Sequence, residues 1–188
     1  LGGYEGGGHD IDEDAFIDEW GTTWTKTGTH CYMNTDGPFY GRAADIADLE
    51  AHEWPDPDNP GLYRGIVDRA QACRDDGDYA IVLNMPAGII HQCQFVRGYG
   101  EWLMDLYRHP DYAGRMMDII ADHWIRVSTN VLELVGNDVD VVFIADDMAT
   151  QRSTLFSPDI YRTLIKPRHK RMFEVLKSWP DLKVAFHS

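Results

Sequence analysis

The pattern of apolar and polar residues predicts strands and helices in alternation along most of this chain. Three short apolar runs, at 79–84, 139–145 and 182–187, are typical of strands that are buried on both faces. Helical periodicity lies between and around these runs, and it predicts helices over 62–75, 100–108, 110–135 and 157–179. Strand, helix, strand, helix, strand is the signature of parallel βαβ units, so the fold class is α/β.

Two of the predicted helices carry further signals. The helix from Pro110 ends at Gly136-Asn137, and the later helix has Ser157 at the N-cap, Pro158 in its first turn and a kink expected at Pro167. The apolar positions of the first of these helices step by three and four, as on one face of an amphipathic helix: Ala113, Met116, Met117, Ile120, Trp124, Val127, Val131 and Leu134.

The first sixty residues have a different pattern, rich in Gly, Asp, Thr and Trp. The first ten are predicted to form a loop, and 22–32 to form a hairpin or an irregular strand pair. Three prolines within 54–60 exclude regular structure there. We therefore expect a single domain over 1–188, in which a portion rich in loops and hairpins (1–60) precedes the βα units (61–188).

Composition and charge narrow the function classes. The chain has 188 residues and a formal net charge of −14, which disfavours nucleic acid and anionic membranes as partners, because both attract Lys and Arg. Three widely spaced cysteines without a CxxC pair fit a reducing cytoplasm, and neither a signal peptide nor a transmembrane run is visible. Walker, GxGxxG, GxSxG and HExxH motifs are absent, which disfavours nucleotide-binding proteins, serine hydrolases and zincins.

Polar residues follow each of the three predicted strands: Asn84, the pair Asp146-Asp147, and His187 with Ser188. Because the carboxyl ends of parallel strands meet at one rim, where α/β folds build active sites, these residues predict an enzyme. Adjacent strand residues point to opposite faces, so at most one aspartate of the pair faces a pocket directly. We therefore expect one structural and one functional aspartate.

Two other segments have candidate chemistry with alternatives left open. Residues 18–21 (Asp-Glu-Trp-Gly) form either a solvated acidic loop or one wall of a pocket, with Gly21 allowing close backbone approach. His91-Gln92-Cys93 has residue types that suit zinc, but no second pair of ligands accompanies it. His187 is either a metal ligand or a hydrogen-bonded structural residue.

Four segments, in this order, resemble the uroporphyrinogen decarboxylase superfamily. Residues 18–21 with Trp24 are similar to the Asp-x-Phe-Gly segment of that superfamily, and 54–58 to its proline-rich loop. Residues 139–147 resemble its strand and loop, and the following helix is similar in its Ser157-Pro158, Tyr161 and Pro167. Residues 186–188 resemble the start of its His-x-Cys-Gly segment.

The resemblance implies a (β/α)8 TIM barrel with its site at the C-terminal rim. A whole barrel needs about 250 residues, so this chain is expected to be a fragment that supplies roughly half of it. Its start at Leu1 rather than Met fits that expectation. The superfamily contains porphyrinogen decarboxylases with an essential aspartate, and Asp18 is at the matching position. It also contains methyltransferases that move a methyl group between a corrinoid (methylcobalamin) and a thiol or tetrahydrofolate.

Two departures favour the methyltransferase branch. Asp147 stands where the decarboxylases have a small hydroxyl residue, and the segment after Pro86 lacks their tyrosine. A porphyrinogen with many carboxylates would also be repelled by Asp146, Asp147 and the net charge. We therefore expect a corrinoid-dependent methyltransferase, with Asp147 able to bind a pterin or to protonate its nitrogen.

The expected site combines these candidates. The catalytic residues are Asp147, Asp18 and Asp146, and the substrate-binding residues are Trp20, Gly21, Asn84 and Gln151. Thiol-acting members hold zinc through His-x-Cys and a later Cys, which implies His187 as a zinc ligand. The expected partners are a small-molecule substrate, a corrinoid protein, and a second copy or a complementary chain. The alternatives are uroporphyrinogen decarboxylase itself and a non-catalytic half-barrel that binds or pairs with another chain, since open strand edges tend to pair.

Overall fold

The computed structural model describes residues 1–28 and 31–188, and its N-terminal part is an antiparallel sheet. The strands are β1 (His9–Asp12), β2 (Ala15–Ile17), β3 (Thr23–Thr27) and β4 (Cys31–Asp36), in that order across the sheet. The hairpin predicted at 22–32 corresponds to β3 and the start of β4, while Thr29 and His30 lie outside the described residues. The prediction of a loop over the first ten residues is wrong at His9 and Asp10, because both pair with β2 and this pairing outweighs their weak strand propensity.

The remainder of the chain alternates helices with three parallel strands. The strands are β5 (Val82–Asn84), β6 (Val141–Ala145) and β7 (Lys183–His187), with β6 in the centre of the sheet. All three lie within the runs from which strands were predicted. The helices are α1 (Ile46–Ala51), a 3-10 turn (Pro60–Tyr63), α2 (Ile66–Asp76), α3 (Ile89–Arg97), α4 (Tyr99–Arg108), α5 (Pro110–Val135), α6 (Pro158–Ile160), a π-helical turn (Tyr161–Ile165) and α7 (Lys166–Leu176).

The parallel sheet has two unlike faces, set by the alternation of side chains along β6. Val142 and Ile144 are fully buried, whereas Val141, Phe143 and Ala145 between them are only partly buried. The strand register places six residues on the buried side, which we call the covered face: Leu83, Val142, Ile144, Asp146, Val184 and Phe186. The opposite side, which we call the open face, carries Asn84, Phe143, Ala145, Asp147, Ala185 and His187.

Helices pack on the covered face. The ring of Phe186 lies 5.5 Å from that of His169 and 5.3 Å from that of Phe173, both on α7. The long helix α5 contacts α1, α2, α3, α4 and α7 and is the centre of the helical layer. Its predicted apolar face is buried except at the last position, Leu134, which is 47% exposed. The buried face continues instead from Val127 in steps of four residues to Val135.

Two helices were not predicted, and both have local signals. In α3 the fully buried residues Ile89, Ile90, Cys93 and Val96 recur at helical spacing. In α1 the carboxylate of Asp45 caps the first turn by accepting the Ala47 amide at 2.9 Å. The expected helix from Ser157 is present, with the Ser157 hydroxyl accepting the Ile160 amide at 3.2 Å. The break expected at Pro167 takes the form of the π-helical turn immediately before α7.

This arrangement of three parallel strands with flanking helices is consistent with part of a TIM barrel. The antiparallel sheet is joined to it through an aromatic contact, in which the ring of Trp24 on β3 lies edge-on to that of Phe95 on α3 at 4.9 Å. Of the described helices, none combines the length and the apolar character that crossing a membrane requires.

Candidate active site at the carboxyl edge of the parallel sheet

Asp146 is completely buried on the covered face, where it joins three elements. Its carboxylate accepts the amides of Ile90 at 2.9 Å and His91 at 3.0 Å, which are the second and third residues of α3. From α7, the Nε2–H of His169 donates to the same carboxylate at 2.9 Å. Asp146 therefore acts as an N-cap of α3 supplied by another segment, in the position where the helix dipole also favours a negative charge. Because it has no exposed surface and its carboxylate is engaged by these three donors, the geometry gives Asp146 a positioning role in place of the direct catalytic role that was expected.

Gly88 allows this close approach between α3 and the end of β6. A Cβ at this position would lie 2.8 Å from the carbonyl oxygen of Ala145 and 3.2 Å from Oδ1 of Asp146. The first distance is shorter than real Cβ contacts and involves backbone, and the second is tight, so this position favours a residue without a side chain. Gly88 is thus the residue that lets the amides of α3 reach Asp146.

Asp147 lies on the open face, between two imidazoles. Its Oδ1 is 3.1 Å from Nδ1 of His187, and its Oδ2 is 3.6 Å from Nε2 of His91. The Asp147 side chain is 47% exposed and that of His187 is 62% exposed, so a bound molecule can reach both. The structure therefore brings together Asp147 and His187, as their positions at the carboxyl ends of parallel strands predicted. It also adds His91 from α3. We call these three residues the Asp147 group.

The hydrogen bonds of His91 specify where its proton lies in the neutral ring. Its Nε2 accepts the backbone amide of Asp147 at 3.3 Å, so the proton of the neutral imidazole is on Nδ1. That nitrogen is 3.9 Å from Oδ1 of Asp146. His91 thus contacts the buried aspartate on one side and the exposed aspartate on the other.

A cavity of about 390 Å³ adjoins the Asp147 group, with His91 as the shared residue. It lies between β5, β6 and α3, and its wall includes Asn84, Gln92, Phe95, Phe143 and Ala145. The His91 and Phe95 rings stack, with their planes inclined by 13° and their centroids 6.0 Å apart. Its volume lies within the range of small-molecule sites, about 300–1,000 Å³. Asn84, predicted at the rim, lies in this wall.

Asp18 is partly buried and serves the antiparallel sheet. Its carboxylate accepts the backbone amides of Trp20 and Thr22, both at 2.9 Å, and Nε1–H of Trp24 at 2.7 Å. Burial raises the pKa of Asp18, and these three hydrogen bonds partly offset that rise. Asp18 is connected to the cavity through Trp24, whose ring packs against Phe95 in the cavity wall. Asp18 therefore positions the sheet beside the site, and its carboxylate is committed to that role.

Three other expected substrate-binding residues are found elsewhere. Trp20 is 4% exposed and packs against His123 and Trp124 of α5, so it is a core residue and not a pocket wall. Gly21 takes a positive φ of 77° in the turn closed by its amide and the Asp18 carbonyl, where its freedom serves the turn. Gln151 is exposed in the loop after β6.

His187 is one candidate zinc ligand, and the described residues do not add the others. No group of three or more His, Cys, Asp or Glu side chains in residues 1–28 and 31–188 is arranged to hold a metal ion. Within the Asp147 group, Nε2 of His91 is occupied by an amide. Zinc sites require three or four converging protein ligands, so the described residues do not form one on their own.

Sequence reasoning missed three residues of this region: the role of His91 beside Asp147, Phe95 in the cavity wall, and His169 beneath Asp146. The first two lie on α3, so recognising the periodicity of Ile89, Ile90, Cys93 and Val96 would have placed both on one helix above the strand ends. Only tertiary packing brings His169 to Asp146, and no local signal in the sequence indicates that contact.

The parallel strands, the helical layer and the Asp147 group define an α/β protein with a polar cluster at the edge where such folds carry their sites. The chain belongs to the uroporphyrinogen decarboxylase (URO-D) family, which matches residues 26–188. This match confirms the resemblance found in the four sequence segments. No curated protein matches the chain.

A solved structure also resembles this chain, a methyltransferase from Methanosarcina mazei. The similarity has a TM-score of 0.58 and 18% sequence identity, and it covers 90% of this chain. The chain spans 47% of the length of that structure, so it corresponds to about half of the methyltransferase. At this identity the comparison supports the fold.

Proposed function

We propose that this protein is a methyltransferase that moves a methyl group between a corrinoid and an acceptor held beside Asp147. The observation that carries the proposal is the Asp147 group, an exposed carboxylate 3.1 Å from one imidazole and 3.6 Å from another, next to a cavity. Membership of the URO-D family and the shared fold with a methyltransferase support this class. In this proposal the three parallel strands belong to a (β/α)8 barrel, with the open face toward its interior.

The Asp147 group suits the proton movement that methyl transfer requires. An acceptor thiol or amine loses a proton as it gains a methyl group, and a methylated oxygen or nitrogen gains one as the methyl leaves. An imidazole next to a carboxylate can take or deliver that proton at neutral pH. Asp147 holds His187 in place, while His91 is held by Asp146 and the Asp147 amide.

The corrinoid would supply the cobalt–carbon bond that carries the methyl group, and the residues of this chain would bind the acceptor and handle its proton. The open face offers apolar surface at Phe143 and Ala145 beside the acid and the imidazoles. The proton steps above use only residues of the described chain, and zinc at His187 stays a prediction.

The described lining of the cavity disfavours a porphyrinogen. It contains Asn84, His91 and Gln92 as polar residues and, within the described chain, no Lys or Arg. A substrate with many carboxylates needs cationic partners to offset its repulsion from Asp147. The proposal of a methyltransferase therefore agrees with the charge of the site better than that of a porphyrinogen decarboxylase.

The proposal can be tested with the full-length protein. It would be mixed with methylcobalamin and with thiol, tetrahydrofolate and phenol acceptors, while the corrinoid spectrum reports loss of the cobalt-bound methyl group. We expect demethylation with one acceptor class. In parallel, uroporphyrinogen would be supplied as substrate. Its decarboxylation, without methyl transfer to any acceptor, would contradict the proposal.

A further inference from the structure

His169 lies beneath the candidate site, on α7, and its one described hydrogen bond goes to Asp146. The imidazole is 1% exposed, and its Nε2–H donates to Oδ2 of Asp146 at 2.9 Å. Its other ring nitrogen, Nδ1, is buried and has no hydrogen-bond partner within the described part of the chain. The polar interaction of this side chain is therefore directed at the carboxylate of Asp146.

The surroundings of the His169 ring are aromatic. The rings of Tyr161, Phe173 and Phe186 lie around it, with centroids 6.1, 6.1 and 5.5 Å from that of the imidazole. A phenyl ring would fill such a position without leaving a buried nitrogen unpaired, which is unfavourable for an imidazole. Packing alone therefore does not account for a histidine here, and exceptions of this kind to local packing rules are typical of functional positions.

Asp146 transmits the contact with His169 to α3. One oxygen, Oδ2, accepts His169 and the Ile90 amide, both at 2.9 Å, and the other, Oδ1, accepts the His91 amide at 3.0 Å. A carboxylate held on both oxygens by donors from two helices cannot rotate without breaking one of these bonds. Removal of the donor on α7 therefore frees the group that caps the first turn of α3, the turn that carries His91.

His91 continues the connection to the open face. Its Nδ1 is 3.9 Å from Oδ1 of Asp146, and its Nε2 accepts the backbone amide of Asp147 at 3.3 Å. Asp147 in turn contacts His187, with 3.1 Å between Oδ1 and Nδ1. Imidazoles and carboxylates thus alternate from α7 to the exposed edge of the sheet, in the order His169, Asp146, His91, Asp147 and His187.

We propose that His169 is a positioning residue for the Asp147 group, which it holds in place through Asp146 and His91. The inference rests on the proposed function, because it assigns His169 a part in methyl transfer without contact to the acceptor. The same arrangement specifies the tautomers of the two neutral rings. The proton is on Nε2 in His169, which donates to Asp146, and on Nδ1 in His91, whose Nε2 accepts an amide.

Kinetics of methyl transfer by the full-length protein separate positioning from binding. His169→Phe keeps a flat ring and removes the donor. We expect its kcat to fall at least about tenfold, because misplacement of a reacting group by about 1 Å can cost as much as about 100-fold. KM for the acceptor should stay unchanged, since His169 does not contact it. His169→Gln, whose side-chain N–H corresponds to Nε2 of the imidazole, should restore most of the wild-type kcat.

NMR of the imidazole nitrogens, with the rings neutral, gives a second readout that a merely structural role would not move. The wild type should show protons on Nε2 of His169 and Nδ1 of His91. In His169→Phe the His91 ring should change to a mixture of tautomers, whereas His169→Gln should keep its proton on Nδ1. These measurements do not require turnover.

The matched control is His123→Phe, which also exchanges a buried imidazole of the helical layer for a phenyl ring. His123 is 8% exposed, and its hydrogen bond goes to the Pro55 carbonyl and not to Asp146. This variant should leave kcat and the His91 tautomer as in the wild type. If His169→Phe does not fold, His169→Asn takes its place, because its amide corresponds to Nδ1 of the imidazole and does not replace the lost donor.

The outcomes separate this inference from the proposed function. An unchanged kcat or an unchanged His91 tautomer in His169→Phe overturns the positioning role, as does a wild-type His169 with its proton on Nδ1. If methyl transfer is observed but does not depend on His169, the proposed function stands without the inference. If the wild type transfers no methyl group to any acceptor, the proposed function fails, while a His91 tautomer that depends on the His169 donor still supports the connection through Asp146.

Discussion

The covered and open faces of the parallel sheet differ most sharply at two neighbouring aspartates. Asp146 has no exposed surface and accepts three hydrogen bonds, two from the first turn of α3 and one from α7. Asp147, the next residue, is about half exposed and lies between two imidazoles. The pleat of the strand sends one carboxylate into the helical layer and the other toward the cavity.

This difference assigns two kinds of work to the same chemical group. A carboxylate whose oxygens are all engaged by buried donors holds the structure together and is not free to exchange protons with a substrate. A carboxylate at the open edge contributes little to stability but is accessible for chemistry. The comparison therefore predicts that substitutions on the covered face change the free energy of unfolding, and that substitutions on the open face change activity.

The largest effect on stability is expected for Asp146→Ala. The change leaves the amides of Ile90 and His91 and the imidazole of His169 without their partner. Removing one partner of a buried charged hydrogen-bond network typically lowers the free energy of unfolding by about 3–5 kcal/mol. The free energy of unfolding, from denaturant titration, measures it. The control is Asp147→Ala, for which we expect less than about 1 kcal/mol, as for other exposed pairs. Equal effects of the two substitutions would remove the distinction between the faces.

The next largest effect concerns a histidine within the helical layer. Burial lowers the pKa of His123 to about 4, partly offset by its hydrogen bond to the Pro55 carbonyl. The unfolded chain takes up this proton near pH 6.5 and the folded protein does not, so stability should fall as the pH drops from 6.5 toward 4. For a difference of this size the loss is about 3 kcal/mol. The free energy of unfolding as a function of pH gives the measurement.

The matched variant for that measurement is His123→Asn, which keeps a donor for Pro55 and does not titrate. Burial raises the pKa of Asp18 and of Glu19, which opposes the histidine near pH 4. The difference in free energy between wild type and variant cancels those terms. A difference that stays constant from pH 6.5 to 4 would show that His123 is not buried in its neutral form.

A smaller effect is expected where α3 approaches β6. In Gly88→Ala the new methyl group would meet the Ala145 carbonyl and the Asp146 carboxylate, and overpacking of this kind costs about 1–3 kcal/mol. Gly100→Ala is the control, because nothing lies within 4 Å of its Cβ, and an alanine in a helix should be neutral or stabilise by up to about 1 kcal/mol. Thermal unfolding of both variants tests this. A stable Gly88→Ala would contradict the close approach.

The smallest effect is expected at Asp18, which belongs to neither face. Asp18→Asn keeps an acceptor for the amides of Trp20 and Thr22, but it sets an NH₂ group against Nε1–H of Trp24. We expect a loss of about 1 kcal/mol, together with a change in tryptophan fluorescence as Trp24 moves relative to Phe95. An unchanged stability and spectrum would show that Trp24 does not depend on this carboxylate.

The fold was predictable where periodicity is long and regular. The strand at Val141–Ala145, the helix from Pro110 and the cap at Ser157 follow from apolar spacing and from side chains that act within a few residues. The strand β1 was not predictable, because its exposed residues carry no apolar pattern and form a strand through pairing with β2. The helix α3 had a pattern, but the break at Pro86 to Gly88 concealed its start.

The position of the candidate site could be predicted from the sequence, but most of the contacts within it could not. The rule that parallel strands end at one edge brought Asp147 and His187 together, and the pleat required Asp146 and Asp147 to differ. The assignment of Trp20 to a pocket wall differed from the structure because burial against α5 depends on contacts between residues about a hundred positions apart. The contact between Asp146 and His169 joins residues only 23 positions apart, but it too depends on how α7 packs against the sheet.

The most direct test of the central claim is the rate of methyl transfer by Asp147→Asn in the full-length protein, with its free energy of unfolding measured beside it. The substitution keeps the size of the side chain and removes the charge between the two imidazoles. We expect a rate at least about 100-fold lower, because the imidazole that moves the proton loses the charge that orients it, and proton transfer by a positioned side chain contributes at least about that much. Stability should stay within about 1 kcal/mol of the wild type. A variant that transfers methyl groups at the wild-type rate would contradict this expectation.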